Sequence, residues 1–232
     1  MKQVLSLVAL FFTLTVSAQN LNGAWKLVNQ NGKPFADECI KIYSDSYFMF
    51  AMHKADGSFV KAGGGSYTSK GKEYTEVLDF YTTDSTQVRK PVTFSFSVKK
   101  DELTIEAKMH GGTLKETWKK VDDASSALSG AWRFGARVDD AGVAGQRRGG
   151  DSPRQTLKIL SGNHFQWAAF NYETKQFMGT GGGTYKLEDG KYTETIRFFS
   201  RDNSRSGMSL TFECRLDGSD WYHKGKELPA IR

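Results

Sequence analysis

The chain has 232 residues and a formal net charge of +6, with 24 glycines, 4 prolines and 13% aromatic residues. Frequent aromatic residues and glycines with few prolines are typical of short strands joined by tight turns. Beyond the first residues, no apolar run reaches the roughly 20 residues that a transmembrane helix needs, and the positive charge is too modest to indicate nucleic-acid binding.

The N-terminal segment has the order of a secretory signal peptide. Lys2 supplies the positive charge, an apolar and hydroxyl-rich run extends from Val4 to Val16, and Val16-Ser17-Ala18 forms a small-residue cleavage site. The sequence therefore predicts removal of residues 1–18. Because no cysteine stands near the cleavage point, we expect an exported protein, periplasmic or extracellular, that is not a lipoprotein.

The remaining residues contain an internal repeat. Four blocks recur in the same order, with an offset of 107 to 118 residues. They are Asn22-Gly23-Ala24-Trp25 with Ser129-Gly130-Ala131-Trp132, Ile40-Lys41-Ile42 with Leu157-Lys158-Ile159, Gly63-Gly64-Gly65-Ser66-Tyr67 with Gly181-Gly182-Gly183-Thr184-Tyr185, and Tyr74-Thr75-Glu76 with Tyr192-Thr193-Glu194. Ordered repetition of this kind indicates a duplicated domain. We predict two domains, residues 19–123 and 124–232, joined at the polar stretch 122–127.

Within each domain the apolar residues alternate with period two, which is typical of half-buried strands. Turn residues separate the strands at Asn31-Gly32, Asp56-Gly57, Lys70-Gly71, Asp189-Gly190 and Asp217-Gly218. The glycine triplets are interpreted as bends of the sheet. The predicted fold class is all-β, with two tandem small up-and-down antiparallel barrels of about eight strands each, since closure removes the sheet edges. Such a barrel is filled by side chains or holds one small ligand.

Two tryptophan segments give the chain a family resemblance. Gly23-x-Trp25 and Gly130-x-Trp132 resemble the Gly-x-Trp opening of the lipocalin superfamily, in which the tryptophan closes the barrel floor. The segments 181–185, 192–194 and 199–205 are similar to secreted lipocalin-like proteins of Bacteroidota. This resemblance covers nearly all of the mature chain and implies a lipocalin-like, calycin-type barrel for each domain. Each domain is shorter than a typical lipocalin, which argues against a deep cavity.

Glu76 and its twin Glu194 are the most informative polar residues. Each lies on the apolar parity of its strand, so its carboxylate is expected to point into the barrel, where an unpaired charge is very costly. The carboxylate must therefore meet a cation, a group of hydrogen-bond donors or a ligand. Three roles remain open: a structural hydrogen bond, a ligand contact, or acid–base catalysis by Glu194 with Tyr192 or Tyr185.

Charge distinguishes the two domains. Residues 19–123 carry a net charge of +1 with one arginine, whereas residues 124–232 carry +4 with ten. Arginines in loops around a barrel mouth suit the recognition of carboxylate, sulfate or phosphate, although a solvated basic surface explains them equally well. Our first hypothesis is a binding protein whose second barrel takes a small amphipathic or anionic molecule or a glycan fragment. The candidate ligand-binding residues are Glu194, Tyr185, Trp167, Arg197, Arg201, Arg205 and Arg133.

Other chemistry has less support. The histidines, His53, His110, His164 and His223, lack metal-ligand spacing, so no metal or other cofactor is expected. No Gly-x-Ser-x-Gly motif indicates a nucleophilic hydrolase. Cys39 and Cys214 occupy non-equivalent positions, which leaves their pairing open and favours a core thiol for Cys214. An enzyme that uses Glu194 and a structural envelope protein with filled barrels remain alternatives, and the oligomeric state is open.

Overall fold

The structure is a computed structural model that describes residues 20–109, 111–139, 141, 143–147 and 149–225. It is built from antiparallel strands, as the alternating apolar pattern predicts. The signal peptide predicted for residues 1–18 lies outside the described residues, and so does His110. Within the described part of the chain, no helix is long and apolar enough to cross a membrane.

The first sheet closes into a barrel. Its strands are β1 (Gly23–Gln30), β2 (Lys33–Pro34), β3 (Glu38–Ser44), β4 (Tyr47–His53), β5 (Phe59–Lys70), β6 (Glu73–Tyr81), β7 (Pro91–Lys99), β8 (Glu102–Met109) and β9 (Gly112–Asp122). Strands β3 to β9 follow in sequence order after β1, the two-residue β2 extends β1 as a hairpin, and β9 pairs back with β1. The predicted eight-stranded up-and-down barrel is therefore confirmed for this half of the chain.

The second sheet is a curled half-barrel, and the prediction of a second closed barrel of eight strands is wrong for the described residues. Its strands are β10 (Gly130–Arg133), β11 (Arg154–Leu160), β12 (His164–Asn171), β13 (Gln176–Glu188), β14 (Lys191–Phe199), β15 (Ser209–Asp217) and β16 (Asp220–Lys224). Their order is sequential, and within the described ranges no pairing joins β10 to β16. The physical reason is that β10 has half the length of β1 and no described strand occupies the place of β9.

The hairpin turns follow the sequence signals. Asn31 and Gly32 have φ angles of 52° and 80°, and Asp189 and Gly190 have φ angles of 50° and 71°. Two successive residues with positive φ give the turn whose twist matches that of the flanking strands. Local turn chemistry therefore fixes the register of these hairpins.

A β-bulge beside each glycine triplet changes the face that the following residues occupy. The register of β5 and β6 shifts between Gly64 and Gly65, and that of β13 and β14 shifts between Gly182 and Gly183. A Cβ atom on Gly65 would lie 2.0 Å from a backbone oxygen of β6, and one on Gly183 would lie 2.1 Å from a backbone oxygen of β14. Glycine permits this close approach, and the bulge bends the strand.

The bulges turn Phe80 and Phe198 outward, where they join the two sheets. Each ring stacks on an aromatic pair of the opposite sheet, so the contacts are reciprocal. The stacked pairs and their ring-centroid distances are Phe80–Phe170 5.1 Å, Phe80–Phe177 6.0 Å, Phe198–His53 5.4 Å and Phe198–Phe59 6.2 Å. The shared core also contains Ala24, Ile42, Met49, Ala51, Ala62, Leu157, Ile159 and Ala168. The outer faces of the two sheets thus form a second apolar layer between the two interiors.

Asp122, at the end of β9, ties the barrel to the hairpin between β11 and β12. Its Oδ2 accepts hydrogen bonds from the Ser161 hydroxyl at 2.7 Å and the Asn163 N–H at 3.0 Å, and it lies 2.8 Å from His164 Nδ1. Burial alone would raise the pKa of Asp122, but these partners lower it well below its usual value. The polar stretch predicted as a linker therefore begins with a fixed contact between the two sheets.

We expect Phe80→Ala to destabilise the protein strongly, because Phe80 is buried between the sheets. Loss of a buried phenylalanine costs about 3–5 kcal/mol in free energy of unfolding, which urea titration followed by circular dichroism measures. Val60, which is 39% exposed, provides the control, and Val60→Ala should change the free energy by less than about 0.5 kcal/mol. A loss below about 1 kcal/mol for Phe80→Ala would contradict a stabilising role of this layer.

We expect Asp122→Asn to reduce stability in a pH-dependent way. A carboxyl whose folded pKa is lowered contributes stability above its unfolded pKa of about 3.9, and this contribution is lost as the pH falls towards the folded value. The variant should lower the free energy of unfolding by about 2–3 kcal/mol at pH 5. This difference from the parent protein should be smaller at pH 2. Denaturant titrations at both pH values measure it, with Asp217→Asn, at an exposed ion pair, as the control. A gap that does not change with pH would refute this account.

Candidate functional site

A buried lysine–glutamate pair crosses the interior of the first barrel. Lys41 Nζ of β3 donates to Glu76 Oε1 of β6, and the Tyr74 hydroxyl donates to the same oxygen. The ammonium group also lies 4.6 Å from the ring centroid of Phe48 and 5.8 Å from that of Trp118. Because a buried charge persists only when it is paired and hydrogen-bonded, these contacts explain how Glu76 occupies an apolar interior at 8% exposure.

The half-barrel contains the matching pair. Lys158 Nζ of β11 donates to Glu194 Oε1 of β14, and Glu194 is 6% exposed. Three aromatic rings surround the ammonium group, with centroids at 4.7 Å for Tyr192, 4.8 Å for Phe165 and 5.2 Å for Trp221. The cation that the sequence requires for the inward-facing Glu194 is therefore Lys158, on a strand that two other strands separate from β14.

The two lysines differ in their electrostatic environment. Burial alone would lower the pKa of Lys41, but Glu76, Tyr43 and Glu116 raise it above its usual value. For Lys158, burial lowers the pKa more than Glu194 raises it. The closing strand β9 supplies Glu116, and the half-barrel has no described strand in that place. The ammonium form is therefore held less firmly in the half-barrel than in the closed barrel.

A cavity of about 130 Å³ opens beside Glu194. Its walls come from β12, β13, β14 and β15 and from the short turn before β15. The lining residues are Phe165, Trp167, Gly181, Gly182, Glu194, Ile196, Phe198, Phe199, Arg205 and Leu210. A Cβ atom on Gly181 would lie 2.8 Å from Trp167 Nε1, so the glycine lets the indole lie against the strand. The cavity thus combines aromatic walls, an arginine and a buried carboxylate.

Two arginines stand at this end of the half-barrel. Arg205 is part-buried, its guanidinium lies 5.2 Å from the ring centroid of Phe199, and its Nε is 3.4 Å from Asp202 Oδ2. A Cβ atom on Gly179 would be 3.1 Å from Arg201 Nε and 3.6 Å from the Trp167 ring. Gly179 therefore leaves room for Arg201 beside Trp167. The arrangement leaves both guanidinium groups able to meet an anion.

The remaining candidate residues lie elsewhere. The Tyr185 hydroxyl donates to the Ser161 carbonyl oxygen at 2.6 Å, away from the cavity. Burial and the Glu194 charge raise the pKa of Tyr192 well above its usual value. Arg197 occupies the bulge of β14, with an exposed side chain. Arg133 contacts the loop at Gly150. The structure therefore brings together Glu194, Trp167, Arg205 and Arg201, but not Tyr185, Arg197 or Arg133.

The two cysteines lie in different sheets and do not pair with each other. Cys39 packs in the barrel interior and Cys214 against the half-barrel interior, and both are free thiols. Burial raises the pKa of the Cys39 thiol to about 12, which makes it unreactive. Within the described ranges, no group of three or more His, Cys, Asp or Glu side chains is placed to hold a metal ion.

Sequence reasoning missed Lys158 and Lys41 as partners of the two glutamates. Each lysine stands between two branched apolar residues, Ile40 and Ile42 in the first case. That pattern suggests an outward lysine flanked by inward isoleucines, but Ile40 and Ile42 pack towards the other sheet. A signal was available in the sequence: Cys39, Lys41 and Tyr43 alternate along β3 and so share one face of the strand. Cys39 and Tyr43 both belong to the barrel core.

A family comparison covers the first half of the chain. Residues 20–126 match a family described as a domain of unknown function (DUF4488). This match corresponds to the closed barrel with the start of the following connection. No curated protein matches the chain.

We expect Glu76→Gln to lower the free energy of unfolding by about 3–5 kcal/mol, because it leaves the Lys41 ammonium buried without its counterion. The double variant Lys41→Met/Glu76→Leu removes both charges and should recover most of that loss. Glu102→Gln, at an exposed ion pair with Lys119, is the control and should change the free energy of unfolding little, because exposed ion pairs contribute little to stability. Denaturant titration measures the free energy of unfolding of all three variants. If Glu76→Gln lowered it no more than Glu102→Gln does, the role of the pair would be contradicted.

Proposed function

We propose that the chain is an exported binding protein of two tandem lipocalin-like domains, and that the second domain binds a small ligand with a ring and an anionic group. The observation that carries this proposal is the cavity that places Trp167 and Phe199, Arg205 and Glu194 around one space. The signal-peptide pattern and the repeated sequence blocks support export and duplication. The aligned lysine–glutamate pairs of the two sheets agree with duplication.

The volume limits the enclosed part of the ligand. Drug-sized ligands occupy pockets of roughly 300–1,000 Å³, and an apolar cavity of roughly 150 Å³ holds a benzene molecule. The cavity of about 130 Å³ therefore encloses one ring or one headgroup. A larger hollow of about 310 Å³ on the β13–β14 hairpin is lined by exposed polar residues and offers no apolar wall.

The two ends of the cavity differ in the groups that they offer. Arg205 and Arg201 at the outer end favour a carboxylate, sulfate or phosphate, because guanidinium groups bind planar anions through paired N–H donors. Glu194 at the inner end accepts a hydrogen bond from a hydroxyl or an amine. Trp167 and Phe199, whose ring centroids are 5.8 Å apart, form one aromatic wall on which the ligand ring packs. The preferred ligand is thus a hydroxylated ring acid, such as a uronic acid or a hydroxybenzoate.

The first domain serves mainly as a scaffold in this proposal. At the positions that align with Trp167 and Arg205 it has Phe50 and Gln87, and its interior is packed with aromatic side chains. It has a single arginine, Arg89, whose guanidinium lies over the Tyr172 ring of the other sheet. Its outer face supports the half-barrel through the layer that contains Phe80.

We expect 4-hydroxybenzoate or glucuronate to change the tryptophan fluorescence of the protein in a saturable way. A ligand of about 10 non-hydrogen atoms in such a site should have a Kd on the order of 0.1–1 mM. Arg205→Gln, which installs the residue of the first domain, should weaken binding about tenfold or more, because a charged hydrogen bond is lost. Isothermal calorimetry gives the same Kd independently of the fluorescence.

Two variants control this experiment. Arg215→Gln removes an exposed arginine that stacks on Tyr222 away from the cavity, and it should leave the Kd within about twofold. Trp167→Phe should remove most of the fluorescence response. Absence of saturable binding by either probe, or equal binding by Arg205→Gln and the parent protein, would refute the proposal.

A further inference from the structure

Two strand edges of the half-barrel face a place that is filled in the first barrel. There, β9 lies between β1 and β8 and pairs with both. The aligned strands of the half-barrel are β10 and β16, and no described strand pairs with their outer edges. We call the space between these two edges the seam. The first barrel shows that an antiparallel strand is the element that covers such a place.

Apolar side chains beside the seam are less buried than their counterparts. Leu27 and Leu103, which flank β9 in the first barrel, are 2% and 0% exposed. At the aligned positions, Phe134 is 40% exposed and Trp221 is partly exposed. The Trp132 ring, whose centroid is 5.5 Å from that of Trp221, is partly exposed as well. Adjoining aromatic groups of this kind mark a surface that binds another molecule.

The interior beside the seam has a buried donor without an acceptor. In the first barrel, Trp118 Nε1 of β9 donates to Glu116 of the same strand at 3.1 Å, and both lie near Lys41. In the half-barrel, Trp221 lies over Lys158 instead, and its Nε1 has no hydrogen-bond partner among the described residues. A buried donor costs free energy until it meets an acceptor. A carboxylate in the place of Glu116 would meet both the indole and the ammonium group.

The backbone at the seam offers hydrogen-bonding groups on both sides. On β10, the Phe134 N–H bonds to the Thr156 carbonyl oxygen of β11, so the N–H of the preceding Arg133 points to the seam. On β16, His223 is paired in register with Cys214, whose N–H bonds away from β16, to the hairpin between β13 and β14. His223 and Cys214 therefore form a pair without backbone hydrogen bonds between them. The His223 N–H and carbonyl groups consequently also point to the seam.

The strand that closes the first barrel is basic on its outer face. Lys115 and Lys119 of β9 form ion pairs with Glu106 and Glu102 of β8 at 2.6 and 2.8 Å. The outer face of β8 is acidic at these two positions. The charges of the two strands are therefore complementary in the first barrel.

The seam of the half-barrel has the opposite charge preference. The positions that align with Glu106 and Glu102 hold Lys224 and Asp220, and Asp220 already forms an ion pair with Arg147. Across the seam, Arg133 of β10 adds another cation. Because cations outnumber carboxylates on this rim, an acidic strand is complementary to it and a basic strand is not.

We propose that the seam binds an extended acidic segment of a partner protein, which adds as an antiparallel strand between β10 and β16 and completes the second barrel. Backbone hydrogen bonds hold the segment to both edges, and its apolar side chains cover the exposed rings. One inward carboxylate meets Lys158 and Trp221, and outward carboxylates meet Arg133 and Arg147. The cavity beside Arg205 is built from β12 to β15, so this inference is independent of the ring-acid site.

The test uses two synthetic peptides based on β9, Gly112–Asp122. The acidic peptide carries Lys115→Glu, Trp118→Val and Lys119→Glu, and the basic peptide carries Trp118→Val alone. The valine leaves room for Trp221, which already lies over the lysine of the half-barrel. Fluorescence polarisation of labelled peptides should show saturable binding of the acidic peptide to the folded protein. The basic peptide should bind at least about tenfold more weakly, because like charges at an interface are strongly unfavourable.

Three variants control this experiment. Thr117→Pro in the acidic peptide keeps every charge but removes a backbone donor, and it should abolish binding. Arg133→Glu in the protein should weaken binding of the acidic peptide and strengthen that of the basic peptide, with circular dichroism as the check of its fold. Arg205→Gln should leave peptide binding unchanged, which separates this site from the ring-acid site.

Three results would overturn the proposal. The first is equal affinity for the acidic and basic peptides, and the second is unchanged binding after Thr117→Pro, since both would indicate attraction without strand pairing. The third is a dimer in sedimentation velocity that the acidic peptide does not dissociate, because a second copy of the chain would then occupy the seam. Failure of the ring acids to bind would leave these results unaffected.

Discussion

The constraint on which both halves of this protein depend is that a charge inside a barrel must meet its counterion. Lys41 and Glu76 come from β3 and β6, which are separated by two strands, so their contact spans the interior rather than a strand–strand seam. Lys158 and Glu194 span β11 and β14 in the same way. A sheet that holds such a pair must curl far enough to bring the two strands face to face. The ion pair therefore favours one curvature of each sheet, and it reinforces the register that burial of an apolar face already specifies.

Strand β9 closes the first barrel, whose interior is filled. The half-barrel has no described strand in that place, and its interior is more accessible. Strand β9 brings Trp118 and Glu116 to the barrel, where Trp118 Nε1 donates to Glu116 at 3.1 Å and both groups lie near Lys41. In the half-barrel, Trp221 of β16 lies over Lys158 instead. Its ring centroid is 5.5 Å from that of Trp132 of β10, across the side where β10 and β16 are not paired. An indole pair covers less of the interior than a strand does. The same lysine–glutamate pair is therefore structural in one half and lies next to solvent-accessible groups in the other.

The sequence predicts much of this fold because most of its signals are local. Alternating apolar residues indicate the strands, and Asn31-Gly32 or Asp189-Gly190 indicate the turns, since only the two residues of the turn decide them. The inward direction of Glu76 and Glu194 follows from parity. Parity fails at Phe80 and Phe198, because a bulge opposite the glycine triplet adds one residue to β6 and to β14 and so reverses the face. It also misleads at Lys41 and Lys158, because contact between the sheets buries both faces of β3 and β11. These effects depend on contacts between residues far apart in the chain, so a local sequence pattern does not reveal them.

The layer between the sheets also decides where the half-barrel can be reached. Phe198 and Ile159 pack on its outer face against the first barrel, which closes the broad side of β11 to β14. Two approaches remain on the described surface: the end of the sheet near Arg201 and Arg205, and the unpaired side at β16. At each of these two places the second half differs from the first. Arg205 replaces Gln87 at the first, and Cys214 and His223 replace Phe96 and Ile105 at the second. Divergence at the accessible positions, with the buried lysine–glutamate pair kept in both halves, is the pattern expected when one half supports the fold and the other meets ligands.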